Sequence, residues 1–456
     1  MWQGHANRDE DTSMTNANGV VSKRVVVVLA VAAMVVAGVV FLAQRFLYFG
    51  PGLPQRDYIA DYTQHGVRAS GKSFEAAEAA TAKLIEIEEI LRGEILPQLH
   101  DADAHFGMLN SEAEHEEDWQ DTEPIVRSSL QAVERLGIRR LTDELIDIGV
   151  FIDPNIIKVE GRDQMGPPHI ATLRRLGKIE SDFLVLAARA GDSQGVVEAN
   201  ERIARLADLA ASSGGGVLVH LIAIALRSHG IEALLDAVCE RQHDQAFLDA
   251  VWAVSSIEDQ WPEISAVLEG ELIVAKHMTS QLGNPPLKTM NPAYQIGVMS
   301  ENYQTAVDLW SGHPQGPVAG LRALRERTAD DGRSDLLADI LLPSTERYLA
   351  AVTQLELLRI AERTVLAIEL HRATQGMLPA SLEVLVPDVL PAVPVDPFSG
   401  QPLVYVVDPD TPDGYRLYAV GADGRDDGGD YEQGKRAQAT SLDAQGVDYP
   451  IVPRAD

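Results

Sequence analysis

Residues 368–430, IELHRATQGMLPASLEVLVPDVLPAVPVDPFSGQPLVYVVDPDTPDGYRLYAVGADGRDDGGD, decide how the chain is read. A helical end gives way at Gly376 to Pro379-Ala380-Ser381-Leu382, where Ser381 or a neighbour caps a short second helix that stops before Pro387. Residues 403–407 and 415–420 are rich in β-branched and aromatic side chains and predict two strands, with Asp408, Asp410 and Asp413 as turn formers between them. The stretch closes on Gly-Ala-Asp-Gly-Arg-Asp-Asp-Gly-Gly-Asp, which places Asp423, Asp426, Asp427 and Asp430 close together among glycines. Calcium takes about six to eight oxygen ligands, and glycines let backbone carbonyls turn inward, so these carboxylates form a candidate Ca2+ site. A solvated acidic turn accounts for the same residues. The spacing is not that of an EF-hand, because Arg425 stands at the third position and no Glu at the twelfth.

The order of a helix, Gly376 to Leu382, Asp396-Pro397-Phe398-Ser399-Gly400, Tyr405 and then Tyr418 to Gly424 resembles the C-terminal half of the major pseudopilins of type II secretion systems. The resemblance covers roughly the last hundred residues. It implies a long helix packed on a small antiparallel sheet and a calcium-binding loop after the last such strand. More loosely, the whole layout is similar to large single-anchor bacterial proteins in which this module follows a helical region. Pilin precursors carry a Gly cleavage point and a Glu at the fifth position beyond it. Here Gly19 is followed five residues later by Arg24, so ordinary pilin processing is not expected.

Upstream of the module the pattern is helical. The last helix of this body, residues 345–371, carries Leu349, Val352, Leu355, Leu358, Val365 and Ile368 and feeds straight into the module. Ser73 caps a helix bearing Leu84, Ile87, Leu91 and Ile95, ended by Pro97. The clearest tertiary signal is a helical hairpin. One apolar stripe runs from Ile170 to Ala187, Gly191-Asp192 makes the turn, and Val196, Ile203, Leu206 and Leu209 mark the second helix. No 34-residue repeat accompanies it, so the likeness to tetratricopeptide pairs is architectural only. Residues 217–226 are apolar apart from His220 and too short to span a bilayer, which predicts a helix buried in the bundle, followed by another over 231–241.

At the other end, residues 25–43 form an uncharged apolar run of the length that crosses a bilayer. A removable signal peptide is the competing reading, but the run exceeds the usual apolar core of about 7 to 15 residues, and Phe41-Leu42-Ala43 makes a poor cleavage site. Lys23 and Arg24 face Arg45 and Arg56 across it, a nearly balanced count. The resemblance to secreted-side proteins then implies a cytoplasmic N-terminus, an inner-membrane anchor and an extracytoplasmic body.

The expected organisation is a tail over 1–24, the transmembrane helix over 25–43, a juxtamembrane segment over 44–72, a helical body over 73–344, a long helix with an α+β module over 345–432, and a C-terminal tail over 433–456. The fold class is mainly α, a transmembrane helix and helical bundle ending in a small antiparallel-sheet module. A net charge of −30 argues against nucleic acid as a partner. Cys239 is the one cysteine, so an internal disulfide is impossible, and its apolar surroundings suit a small buried residue. His100, Asp101, Asp103, His105, His115, Glu116, Glu117 and Asp118 have metal-ligand types without a recognised spacing, and no HExxH, G-x-S-x-G or phosphate-binding Gly-Lys-Ser/Thr loop occurs. His220 and His229 are expected as core or boundary residues, and Glu269 or Glu271 as a buried partner of Arg359 or Arg363. The function these features imply is structural or interactive, with partners in the lipid bilayer and the secretion envelope. A helical-hairpin binding protein and a metal-dependent hydrolase built on the histidine cluster are the alternatives.

Overall fold

The computed structural model describes residues 56–95, 116–152, 168–212, 214–255, 261–281, 292–313, 316–330, 336–429 and 448–452. The expected span at 25–43 lies outside them, as does Asp430. Among the described residues twelve α-helices precede a three-stranded sheet. They are α1 (Tyr58–Ser70), α2 (Phe74–Ile90), α3 (Glu116–Arg135), α4 (Ile138–Ile148), α5 (Pro168–Ala190), α6 (Ser193–Ala211), α7 (Val217–Glu240), α8 (Gln245–Val254), α9 (Ile264–Gln281), α10 (Pro292–Gly312), α11 (Pro317–Asp330) and α12 (Leu336–Gln375). The strands β1 (Val404–Val407), β2 (Tyr415–Ala419) and β3 (Tyr449–Val452) form an antiparallel meander.

Local chemistry starts and stops these helices as the sequence leads one to expect. Ser73 accepts from the Ala76 N–H at 3.2 Å and so satisfies one of the free donors in the first turn of α2. Leu84, Ile87, Leu91 and Ile95 are all buried, the last two in a π-helical turn over Leu91–Ile95. In the α5–α6 hairpin Gly191 adopts φ 76°, and Asp192 accepts from the Gly195 N–H at 3.0 Å. Arg139 of α4 grips the buried Glu180 of α5 with two hydrogen bonds, 3.1 and 2.8 Å, while Arg202 of α6 reaches Asp143 of α4 at 2.8 Å. Three helices are thereby tied by two ion pairs, of which only the one on Glu180 has a buried member.

The helix α7 differs from the expectation of two shorter ones. It continues through Gly230, because there the neighbouring helix comes close: a Cβ at that position would stand 2.7 Å from Ile203 of α6. By length and composition α7 could cross a membrane, yet in this fold most of it is buried among other helices. Its N-terminus emerges from three glycines, with Gly216 at φ 90°. Tyr62 and His65 of α1 bond to the carbonyls of Gly215 and Gly214, at 2.8 and 3.2 Å, and Glu271 of α9 accepts from the Val217 N–H at 2.9 Å. Glu271 therefore caps α7 and is not a partner of Arg359 or Arg363. Those guanidiniums lie over the rings of Trp261 and Trp252, at 5.4 and 5.0 Å from the ring centres.

The C-terminal half of α12 is the spine. Val365, Leu366, Ala367 and Ile368 are all fully buried, so no face of the helix there meets water. One continuous apolar cluster runs from α6–α8 through this segment into Tyr415, Leu417 and Ala419 of β2 and Tyr449 of β3. The alternation in β2 sends those three residues to the core and Arg416 and Tyr418 to the outer face. Residues 449–452, expected within a tail, are the third strand of this sheet. β3 is a sheet edge, which accommodates Pro450, and the β2–β3 register shifts between Leu417 and Tyr418.

Candidate functional site

The acidic loop over residues 421–429 leaves β2 and folds back on the sheet's outer face, with Gly429 against the Tyr418 ring. Two buried carboxylates hold it. Asp396 is fully buried: Oδ1 accepts from the Phe398 N–H at 2.8 Å, and Oδ2 accepts from the Ser399 hydroxyl at 2.7 Å and the Gly421 N–H at 3.1 Å. One side chain thus closes its own turn and fixes the loop's first residue, twenty-five positions later in the chain. Asp448, just before β3, accepts from the Asp427 N–H at 3.1 Å and the Gly429 N–H at 2.7 Å. Burial, with the carboxylates of Asp426 and Asp427 adding to it, pushes the Asp448 carboxyl above its ordinary range against the pull of those two amides. Burial likewise raises the Asp396 carboxyl despite its hydrogen bonds.

The loop's own aspartates are engaged locally. Asp423 accepts from the Arg425 N–H at 3.0 Å, and Asp426 accepts from the Tyr418 hydroxyl at 3.0 Å and the Gly428 N–H at 2.9 Å. Asp427 takes part through its backbone. The carbonyls expected to turn towards an ion have protein partners instead. Arg322 of α11 donates to Ala422 O at 2.6 Å, Gln401 to Gly424 O at 3.1 Å and Arg416 to Gly428 O at 2.8 Å. Among the described residues no group of three or more His, Cys, Asp or Glu is arranged to hold a metal ion. Asp396 and Asp448 were missed as fastening points by sequence reasoning, although an Asp two residues before a turn amide is the local signal for the first.

The remaining candidates fall as follows. Asp408 forms the β1–β2 turn, accepting from the Asp410 N–H at 3.2 Å, and pairs with Arg416 at 3.0 Å. His220 is buried, with Nδ1 2.6 Å from the Tyr348 hydroxyl and its ring edge-on to Trp261. Burial lowers its pKa to about 4. His229 is half-buried, as is Cys239, which is less enclosed than its sequence context implies. His100, Asp101, Asp103, His105 and His115 lie outside the described residues, and Glu116, Glu117 and Asp118 occupy the first turn of α3. The stripe of the α5–α6 hairpin is spent on the core shared with α7.

Among known proteins, no family model, no curated sequence and no solved structure matches this chain.

Proposed function

We propose that the chain is a membrane-anchored extracytoplasmic structural or interaction protein. Residues 25–43 hold it in the inner membrane with the N-terminus in the cytoplasm, and the helical body displays a pseudopilin-like module to components of a type II secretion or pilus-like machine. The observation that carries this reading is the packing of α12, forty residues long, into one core with a three-stranded meander whose acidic loop is fastened by buried carboxylates. Nothing in that arrangement calls for a reacting group, whereas a rigid helix bearing a tied-down tip suits the presentation of a surface.

Calcium belongs to this reading as a ligand of the acidic loop. Its support is the charge: Asp426 and Asp427 both push the Asp448 carboxyl up, a repulsion that a hard cation would relieve, although the carbonyls of Ala422, Gly424 and Gly428 already bond to protein donors. Asp423, Asp426, Asp427 and Asp430 are the residues that would hold it, and it would supply charge neutralisation and loop rigidity. Affinity capture of the detergent-solubilised protein tests the functional reading: secretion-envelope components should co-purify, and their absence from a full capture overturns it. In the same preparation calcium should raise the melting temperature, and Asp423→Ala with Asp427→Ala should remove the increment. A parent protein indifferent to calcium removes the ion from the reading and leaves the scaffold.

A further inference from the structure

The sheet is joined to the helical body through a buried polar contact at the end of α12. Arg372 donates through Nη1 to Gln242, in the turn between α7 and α8, and through Nη2 to the carbonyl of Asp413 in the β1–β2 turn. Its guanidinium also lies 5.5 Å from the centre of the Tyr415 ring. One side chain therefore bridges body, helix and hairpin. Glu369, one turn earlier and 1% exposed, sits with Oε2 3.4 Å from Arg372 Nε. That approach is not a hydrogen bond: neither Oε2 nor Nε has a hydrogen-bond partner among the described residues. The guanidinium's two outer nitrogens are committed elsewhere, so an ionised Glu369 has only the Arg372 charge and the Tyr415 hydroxyl to favour it, and burial outweighs them.

We propose that Glu369 is the titrating member of a clasp that holds the β1–β2 hairpin against the helical body, closed while the carboxyl carries its proton and loosened when it does not. The groups facing it are Arg372 on α12, Tyr415 on β2, Tyr405 on β1 and Asp413 in the hairpin turn, with Cys239 of α7 beyond Tyr415. Arg372 is the only cation in that set, and it already serves the Gln242 and Asp413 oxygens. An ionised Glu369 competes for it, and a guanidinium drawn back towards the carboxylate releases the Asp413 carbonyl and with it the hairpin turn. Burial, outweighing Arg372, raises the Glu369 pKa from 4.5 to about 7, which places this competition in the neutral range. The inference rests on this contact alone and stands whichever compartment holds the body.

The sign follows from linkage. A carboxyl whose folded pKa is raised stabilises the closed state fully below its free value of 4.5 and loses that contribution as pH rises through about 7. The test is hydrogen exchange on the full chain in detergent, corrected for intrinsic rates, comparing residues 404–419 with the α5–α6 hairpin. Between about pH 5 and about pH 8 the opening of 404–419 should increase roughly tenfold to a hundredfold while α5–α6 does not follow it. Glu369→Gln, an isostere of the protonated side chain, should hold the hairpin at its acid-side protection throughout. The same pH response in Glu369→Gln overturns the proposal. If that variant does not fold, the wild-type protein decides: opening that climbs from about pH 4.5 and levels off near pH 7 supports the clasp, and a response absent or already complete by about pH 5.5 refutes it.

Discussion

Replacing Asp396 by alanine removes the acceptor of two buried backbone donors, the amides of Phe398 and Gly421, and of the Ser399 hydroxyl. Each stranded buried donor costs about 1–3 kcal/mol, and the hydroxyl can turn to another acceptor. Asp396→Ala should therefore weaken the local structure by roughly 3–5 kcal/mol. Asp396→Asn keeps one oxygen for the Phe398 amide but turns an NH2 towards the Gly421 N–H, so a single donor is stranded at about 1–3 kcal/mol. Ser399→Ala loses one bond and should cost about 1 kcal/mol. Because the loss is local to one end of a large helical chain, amide exchange at Phe398 and Gly421 is the appropriate assay, with a global melt beside it. The expected order of opening is Ala, then Asn, then the Ser399 variant. If Asp396→Ala opens Gly421 less than about tenfold more than the parent, equivalent to about 1.4 kcal/mol, this carboxylate is not what fastens the loop.

Two further substitutions test the packing of α7. A Cβ on Gly270 would lie 2.2 Å from the Gly214 carbonyl oxygen, a backbone obstacle, whereas one on Gly230 would meet the Ile203 side chain at 2.7 Å. Gly270→Ala should destabilise by about 3 kcal/mol, and Gly230→Ala by about 1–2 kcal/mol after its helix-propensity gain, an order that thermal melts of the two variants check. His220, whose pKa falls from 6.5 to about 4, contributes stability that is present above 6.5 and lost as pH falls through about 4. That loss is worth roughly 3 kcal/mol, so His220→Phe should be less stable than the parent at neutral pH and the gap should close as pH falls to about 4; a melting-temperature gap that does not change with pH refutes the assignment.

What the sequence disclosed was what neighbours along the chain decide. The Gly191-Asp192 turn, the Ser73 cap and the two strands of the hairpin each depend on a few adjacent residues, and each is found in place, within a residue at the strand ends. Gly230 was misleading because its role is tertiary: a glycine that would break an isolated helix is here the place where Ile203 fits. β3 has four residues and a proline, too little alternation to register alone, and it becomes a strand only by pairing with β2. The fastening role of Asp448 depends on amides about twenty positions earlier, which no local pattern encodes. Glu271 was expected as a buried partner of an arginine and is instead half-buried and caps α7, which requires the glycine loop to bring Val217 to it.

His220 and Glu369 sit on the α7–α12 pair and titrate in opposite senses across the same interval. Rising pH between about 4.5 and 6.5 relieves the body of the cost of keeping His220 neutral while the free chain binds protons. Over that interval it also builds up the cost of keeping Glu369 protonated. The two contributions are each roughly 3 kcal/mol and of opposite slope, so a whole-chain melt sees little of either. They act on different contacts, however. His220 bonds Tyr348 at the head of the buried part of α12, and Glu369 lies at its far end against the sheet. Acidification therefore loosens the inner helix pair as it tightens the hairpin, and alkalinity does the reverse, at nearly constant overall stability. A chain arranged in this way redistributes order between its body and its tip without approaching unfolding, and only measurements resolved along the sequence, with one of the two side chains neutralised at a time, separate the opposing slopes.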